Sequence, residues 1–220
     1  MRSIRIWFSK TASTKYISHL DLTRCLIRAF RRTDIPLWYT EGYNPHPHLV
    51  FGLPLPLGAE GLLETLDIRL SDDSYPNEKV LCELKKASVP GIDFIKITEP
   101  VNKPLLITYG LYDMVIPAEA SSEKIIEYIK EKLKSNNILI EKRTKKKEIK
   151  TINVCEYISE ISFSFTEENV IFSFKLPAGN DFTVNPISFC NSLFQNSFID
   201  SHDCLIRRTK LLLKDSSDFK

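Results

Sequence analysis

Two short segments, Tyr16–Arg24 and Glu41–His48, carry most of the residues in this chain that could do chemistry. They read YISHLDLTR and EGYNPHPH, and they hold three of the four histidines in the sequence. Packing of an apolar core does not require histidine, arginine, tyrosine and proline at such density. The two segments therefore predict a binding or catalytic site, with the rest of the chain as its scaffold.

The first segment opens a predicted helix whose polar face is rich in arginine. At about 100° per residue, four guanidinium groups fall within one arc, opposite an apolar face made by Leu22, Leu26 and Phe30. The four are Arg24, Arg28, Arg31 and Arg32. A face of guanidinium groups suits bidentate contacts to phosphate. The alternative interpretation is a solvated helix face on which Asp21 pairs with Arg24.

His19 lies in the first turn of the same predicted helix. The positive end of a helix dipole favours a neutral imidazole, which can act as a general base or bind a metal. The pattern therefore makes His19 the candidate catalytic residue, as a general acid or base. The alternative is a histidine that caps the helix or packs at the edge of its apolar face.

The second segment is a loop stiffened by two prolines, and its candidate binding residues are Tyr43, Asn44 and His46. The tyrosine ring could stack on a base or on a small planar ligand. His46 and His48 stand two positions apart and would point the same way from an extended backbone. Two ligands do not make a metal site, and no carboxylate or cysteine stands at a suitable spacing, so we predict no metal.

A second basic cluster spans residues 142–150, KRTKKKEIK, with six cations and one carboxylate. Lys145, Lys146 and Lys147 form its centre and are predicted to bind a polyanion through phosphate charge alone. The alternative is a solvated hairpin tip. RNA is the expected partner if these lysines share a surface with the arginines of the first helix, which sequence periodicity does not determine.

Composition and missing motifs argue against several classes of function. The formal net charge is only +2, so a nucleic-acid surface must come from local clusters. The five cysteines form no C-x-x-C pair, which argues against a disulfide framework and a cysteine-held metal. No P-loop, dinucleotide-binding or H-E-x-x-H motif is present, and no apolar run could span a bilayer. We expect a cytoplasmic protein with no membrane partner.

Periodicity divides the chain into two halves with the same element order. Residues 1–100 predict strand, helix, strand, strand, helix, strand, including a short strand at Leu37–Tyr39. After a linker at Glu99–Pro104, residues 104–220 predict the same order again, with basic segment 142–150 added. This order predicts an α+β fold of two tandem ferredoxin-like (βαββαβ) halves with antiparallel sheets. The first domain would carry both chemistry-bearing segments.

The same residues occur in the pattern of one known family. The chain resembles the bacterial radical-SAM-associated domain of unknown function, which occurs as a separate protein or fused behind a radical-SAM module. The matching stretches are YISHLDL at 16–22, RAFRR at 28–32, IP at 35–36, EGYNPHP at 41–47, PLPLG at 54–58 with Glu64, and IRRT at 206–209. The residue after the last loop proline is commonly lysine or arginine in that family, whereas here it is His48.

The resemblance implies an accessory role beside a radical-SAM protein. S-adenosylmethionine and an iron–sulfur cluster would belong to that partner, and this chain would bind no cofactor while it holds RNA or another phosphate-bearing substrate. Two alternatives stay open, a metal-independent ribonuclease that uses His19 and a protein–protein adaptor that docks on the radical-SAM enzyme. The start of the chain is also similar, in fold only, to the tandem ferredoxin-like RNA endonucleases that process repeat transcripts. Those enzymes carry a glycine-rich loop near the C-terminus that is missing here.

Overall fold

The computed structural model describes residues 1–118, 122–143, 148–179 and 182–220. The first half contains two helices and four strands. They are β1 (Arg2–Lys10), α1 (His19–Phe30), β2 (Leu49–Phe51), β3 (Glu60–Leu70), α2 (Asn77–Ala87) and β4 (Ile92–Thr98). The described residues of the second half contain two more helices and six strands. They are β5 (Tyr109–Pro117), α3 (Ser122–Lys134), β6 (Leu139–Arg143), β7 (Ile149–Asn153), β8 (Ser159–Phe165), β9 (Asn169–Pro177), α4 (Pro186–Leu193) and β10 (Leu205–Leu212).

Eight strands from both halves form one continuous sheet. The strand order is β4-β1-β3-β10-β5-β9-β8, with β2 paired to β3, and the β6–β7 hairpin forms a separate two-stranded sheet. All neighbours are antiparallel except β3 and β10, which run parallel and meet only at Glu60–Arg207 and Gly61–Arg208. We call this short parallel pair the seam. The α+β class and the predominance of antiparallel pairing are confirmed.

Each half has its own apolar core, built by the alternation of its strands. Ile4, Ile6 and Phe8 of β1 are buried against Leu22 and Leu26 of α1. Because successive strand residues point to opposite faces, Arg5 and Trp7 of β1 lie on the other face of the sheet. The corresponding core of the second half gathers apolar residues of β5, β9, β10, α3 and α4.

The sheet face opposite α1 is also covered, as the presence of Trp7 on it indicates. Arg5 is fully buried there, and its guanidinium donates to both carboxylate oxygens of Asp67, at 2.6 and 2.7 Å, and to the carbonyl of Asn102. The ring of Phe219 stacks on the same guanidinium at 4.1 Å. The inter-half connection and the last residues of the sequence therefore close this face.

Most predicted elements agree with the structure within a few residues, but the second half has six strands where the predicted βαββαβ order has four, because the β6–β7 hairpin is added. The strand predicted at Leu37–Tyr39 is reduced to isolated bridges, Leu37 to Leu70 and Tyr39 to Pro47, because the nearby prolines leave few backbone donors for a ladder. A short 3-10 turn at Pro104–Leu106 precedes β5, which begins at Tyr109. None of the helices in the described ranges is both long and apolar enough to cross a membrane.

Candidate functional site

Helix α1 is fixed at its start by a side-chain cap. Ser18 is the N-cap, and its hydroxyl oxygen accepts from the backbone N–H of Asp21 at 3.1 Å. The Ser18 hydroxyl in turn donates to the Asp21 carboxylate at 2.7 Å. Leu22, Leu26 and Phe30 are buried as predicted, which turns the arginine face of the helix to solvent.

Three of the four predicted arginines line one groove beside α1. The groove is formed by Arg24, Arg28 and Arg32 together with Asp21, Cys25 and Val89. Val89 follows α2, so the groove lies between α1 and the connection from α2 to β4. The spacing of four residues places the three arginines on one face of the helix. Arg31, the fourth, is the exposed C-cap residue of α1 and lies outside the groove. We call this feature the arginine groove.

The positive charge of the arginine groove is poorly neutralised. Arg24 forms an ion pair with Asp21 at 3.3 Å, but both side chains are more than half exposed, and such pairs contribute little. Arg28 forms no ion pair with any residue that the structure describes. Arg32 donates to the carbonyl oxygen of Ala87 at 2.6 Å, a neutral acceptor that orients the guanidinium without cancelling its charge.

His19, the first residue of α1, is an exposed side chain held against an aromatic ring. Its imidazole meets the ring of Phe51 edge to face, with 4.6 Å between centroids. Partial burial, and then the nearby ammonium of Lys10, lower the pKa of His19 below its ordinary value. The imidazole is therefore neutral near pH 7 and free to accept a proton.

The Glu41–His48 loop is organised mainly by its own hydrogen bonds. Thr40 donates its backbone N–H to the carbonyl of His46 at 2.9 Å, and the His46 Nδ1 lies 3.1 Å from both the Thr40 hydroxyl and the Asn44 carbonyl oxygen. His46 is exposed and stabilises the loop through these hydrogen bonds. Asn44 is also exposed, and Tyr43 at the tip is fully exposed.

His48 packs under the loop and does not join the other histidines. Its ring meets Trp38 edge to face at 5.9 Å, and its Nδ1 is buried without a hydrogen-bond partner. Burial and the neighbouring Arg69 lower the pKa of His48. Phe51, whose ring His19 contacts, lies three residues from His48 along β2, which is about 10 Å of extended chain. In the described ranges no three His, Cys, Asp or Glu side chains gather as a metal site.

Segment 142–150 begins on β6 and ends on β7, which pair from Leu139–Asn153 to Arg143–Ile149. Lys142 donates to the carbonyl oxygen of Thr183 at 2.9 Å and lies over the ring of Phe182. The three central candidates, Lys145, Lys146 and Lys147, fall outside the described residues.

A buried ion pair at the seam is the functional candidate that sequence reasoning missed. Arg208 of β10 and Glu64 of β3 are both almost fully buried, and the guanidinium makes a two-point contact with the carboxylate. Arg208 also donates to the Leu53 carbonyl at 2.7 Å. Burial opposes the charge of Arg208, but Glu64 and then Tyr112 outweigh it and raise the pKa of the guanidinium. The available signal was that Glu64 and Arg208 both belong to the stretches that match the family pattern.

Lys10 extends this pair into a buried polar cluster under His19. Its side chain is 2% exposed and its ammonium donates to the carbonyl of Ile17 at 3.1 Å. Burial lowers the pKa of Lys10, while the Glu64 carboxylate counteracts that shift and Arg208 adds to it. The stretches of the family pattern at Ile17–His19, at Glu64 and at Arg208 therefore meet at one place, where the two halves join.

The comparisons with known proteins give a family and distant likenesses to solved structures. Over 94% of its length the chain is similar to 48% of a chain in a structure titled "Crystal Structure of a Cbf5-Nop10-Gar1 Complex", with 14% identity and a TM-score of 0.45. The chain thus spans about half of that protein. No curated protein matches the sequence. Residues 3–186 match the family described as "Uncharacterized protein conserved in bacteria (DUF2344)", and the chain belongs to that family.

Proposed function

We propose that this protein is a non-catalytic module that binds RNA or another phosphate-bearing substrate. The observation that carries the proposal is the arginine groove, in which Arg24, Arg28 and Arg32 share one cleft with a single carboxylate, Asp21, among its described lining residues. Phosphate binds best where guanidinium groups converge and no carboxylate cancels them. Here the one carboxylate is exposed and occupied by the N-cap of α1.

The geometry of α1 supports an extended polyanion over a single phosphate. Residues four apart rise about 6 Å along a helix, so Arg24, Arg28 and Arg32 present charges in a row. Such a row can meet successive phosphates of a single strand. Arg28 is the central member and has no competing partner among the described residues, so it is the expected main contact.

The exposed loop supplies a second, independent element of the proposal. Tyr43 stands at the loop tip, where its ring is open to a stacked base, and base–aromatic stacking contributes about 1–3 kcal/mol per base. Asn44 lies beside it and can bond to a base edge, while His46 keeps the loop in shape. In this proposal the groove binds phosphates and the loop contacts a base.

We also infer that each half is a ferredoxin-like unit. When the β6–β7 hairpin is left out, the strands of each half lie side by side in the order fourth, first, third, second. This order is β4-β1-β3-β2 in the first half and β10-β5-β9-β8 in the second. The β6–β7 hairpin would then be an insertion in the second unit. The family resemblance supports an accessory role beside a radical-SAM protein, which would contribute S-adenosylmethionine and an iron–sulfur cluster.

A charge-matched pair of variants tests the binding proposal. The double variant Arg28→Glu with Arg32→Glu reverses the charge of two of the three groove arginines. The control, Lys124→Glu with Lys134→Glu, makes the same change in net charge on α3, where Glu127 and Glu131 already surround Lys134. Fluorescence anisotropy with a labelled single-stranded RNA should show a large loss of affinity only for the groove variant. Equal affinities of the two variants would refute the groove.

His19 motivates a second candidate function, a metal-independent ribonuclease. The observation that favours it is an exposed imidazole held against Phe51, whose pKa is lowered by partial burial and by Lys10, so that it is neutral and can accept a proton. Purified protein incubated with labelled cellular RNA and EDTA should then cleave it, and His19→Ala should not. Cleavage that survives His19→Ala, or no cleavage at all, removes this function.

A protein–protein adaptor is the remaining alternative, because a fully exposed tyrosine on a stiff loop also suits docking on a radical-SAM partner. Co-purification of such a partner that is lost in Tyr43→Ala and kept in Arg28→Glu would favour the adaptor over RNA binding.

A further inference from the structure

A cavity on the sheet face opposite α1 lies beside the seam and is separate from the arginine groove. It has a volume of about 300 Å³, which is at the lower end for sites that bind small molecules. Trp7 of β1, Leu63 of β3 and Leu211 of β10 line it, so both halves of the chain contribute. Pockets for small ligands occur preferentially at such junctions.

The seam explains why a cavity forms here. Strands β3 and β10 pair at only two positions, and the ladder does not continue beyond Gly61 and Arg208. Leu63 lies two residues beyond Gly61, Leu211 lies three residues beyond Arg208, and both line the gap that forms the cavity. On the opposite side, close packing between Arg208 and Glu64 fills the same gap with a buried ion pair, so only the Trp7 side stays open.

The outer wall is an ordered part of the fold. Phe219 is 2% exposed, and its backbone N–H donates to the Leu211 carbonyl at 3.0 Å. Lys220 and Asn102 exchange two hydrogen bonds, at 2.6 and 2.9 Å, which ties the end of the described chain to the inter-half connection. The cavity is therefore bounded on both sides before any ligand binds.

The apolar walls offer a surface for a flat ring. Trp7 is nearly buried, and its indole N–H already donates to the Thr98 hydroxyl at 2.8 Å, so the ring and not its donor is available. Leu63, Leu211 and Phe219 supply the remaining apolar surface. A ligand without an aromatic or similar apolar body would leave this surface unfilled.

The polar rim carries more positive than negative charge. Lys96, Lys210 and Lys220 stand against Glu99 and Asp218. Asp218 is already paired with Lys210 at 3.3 Å, and the ammonium of Lys96 lies 4.8 Å from the centre of the Trp7 ring. A cation next to an aromatic wall is placed to meet the acidic group of a molecule whose ring stacks on that wall.

We propose that this cavity binds a small planar aromatic anion, with its ring between Trp7 and Leu211 and its carboxylate or phosphate against Lys96. The site is on the other face of the sheet from the arginine groove, so it stands or falls independently of RNA binding.

Three small molecules measure the contribution of the aromatic ring to affinity separately from that of the negative charge. Isothermal calorimetry of the full chain with 2-naphthoate should give saturable binding at one site per molecule. The uncharged 2-naphthamide should bind about tenfold more weakly, because it loses the contact with Lys96, and cyclohexanecarboxylate, an anion without an aromatic ring, should bind more weakly still. Equal affinity for the first two, or no saturable binding of naphthoate, would overturn the proposal.

Variants then place the site. Lys96→Gln should weaken naphthoate about tenfold and leave naphthamide unchanged, whereas Lys124→Gln on α3 should affect neither. Leu63→Trp fills the cavity with a larger side chain and removes no polar contact. It should therefore abolish binding while circular dichroism shows an intact fold. Naphthoate binding that survives both Lys96→Gln and Leu63→Trp would show that the ligand binds elsewhere.

Discussion

Replacing Glu64 with leucine should destabilise the protein more than any change to a surface ion pair. The substitution leaves the Arg208 guanidinium buried at the seam without a carboxylate, and only neutral groups, the carbonyl oxygens of Leu53 and Pro54 and the hydroxyl of Tyr112, remain beside it. It also removes the carboxylate that counteracts the lowering of the Lys10 pKa, so two buried cations are left near each other with no carboxylate between them.

The expected loss follows from how deeply the pair is buried. Glu64 and Arg208 side chains are 6% and 1% exposed, and removal of one partner of such a pair costs about 3–5 kcal/mol. In a chain of this size that corresponds to a fall in Tm of about 6–20 °C. Asp218→Asn is the control, since Asp218 and Lys210 are about half exposed and their pair contributes at most about 1 kcal/mol.

Urea unfolding followed by circular dichroism gives the free energies of unfolding by linear extrapolation. The double variant Glu64→Leu with Arg208→Met should recover much of the loss, because it leaves no buried charge without a partner. If Glu64→Leu is no less stable than Asp218→Asn, the seam is not held by this pair and the reasoning is refuted.

Further predictions concern the cap, a histidine and the cysteines. Ser18→Ala should lower the free energy of unfolding by about 1 kcal/mol and Ser18→Asp should not, and equal urea midpoints would contradict the cap. By NMR the imidazole of His19 should titrate below about 6.5, and Lys10→Met should raise that pKa; no change would exclude the Lys10 contribution. Iodoacetamide should label exposed Cys82 in the native protein but not buried Cys190, whose pKa is raised by Cys204 and by burial; equal labelling by mass spectrometry would be the contrary result.

Local features of the fold could be predicted from the sequence because they depend on neighbours in the chain. Examples are the Ser18–Asp21 cap, the buried face of α1 and the β8–β9 hairpin. Each depends on residues that lie close together in the sequence. The arginine face was predicted as four residues. Only three of them line the groove. Arg31 lies outside it because the other wall of the groove is the α2–β4 connection, whose position the helix pattern does not give.

Contacts between distant residues could not be predicted in this way. Glu64 and Arg208 lie 144 residues apart, and no periodic pattern records that β3 and β10 pair in parallel. The contact between Phe219 and Arg5, which covers the sheet face opposite α1, also joins residues that are far apart in the sequence. From the sequence, only Trp7 on the otherwise polar face of β1 indicates that this face has a further partner.

The salt dependence of RNA binding tests the central claim most directly. The logarithm of the association constant for a single-stranded RNA should fall with the logarithm of salt concentration by about 0.7 for each phosphate contacted. Arg28→Gln should reduce that slope by about 0.7, whereas Arg31→Gln, on the same helix but outside the groove, should leave it unchanged. Equal slopes for the wild type and both variants would contradict phosphate binding in the arginine groove.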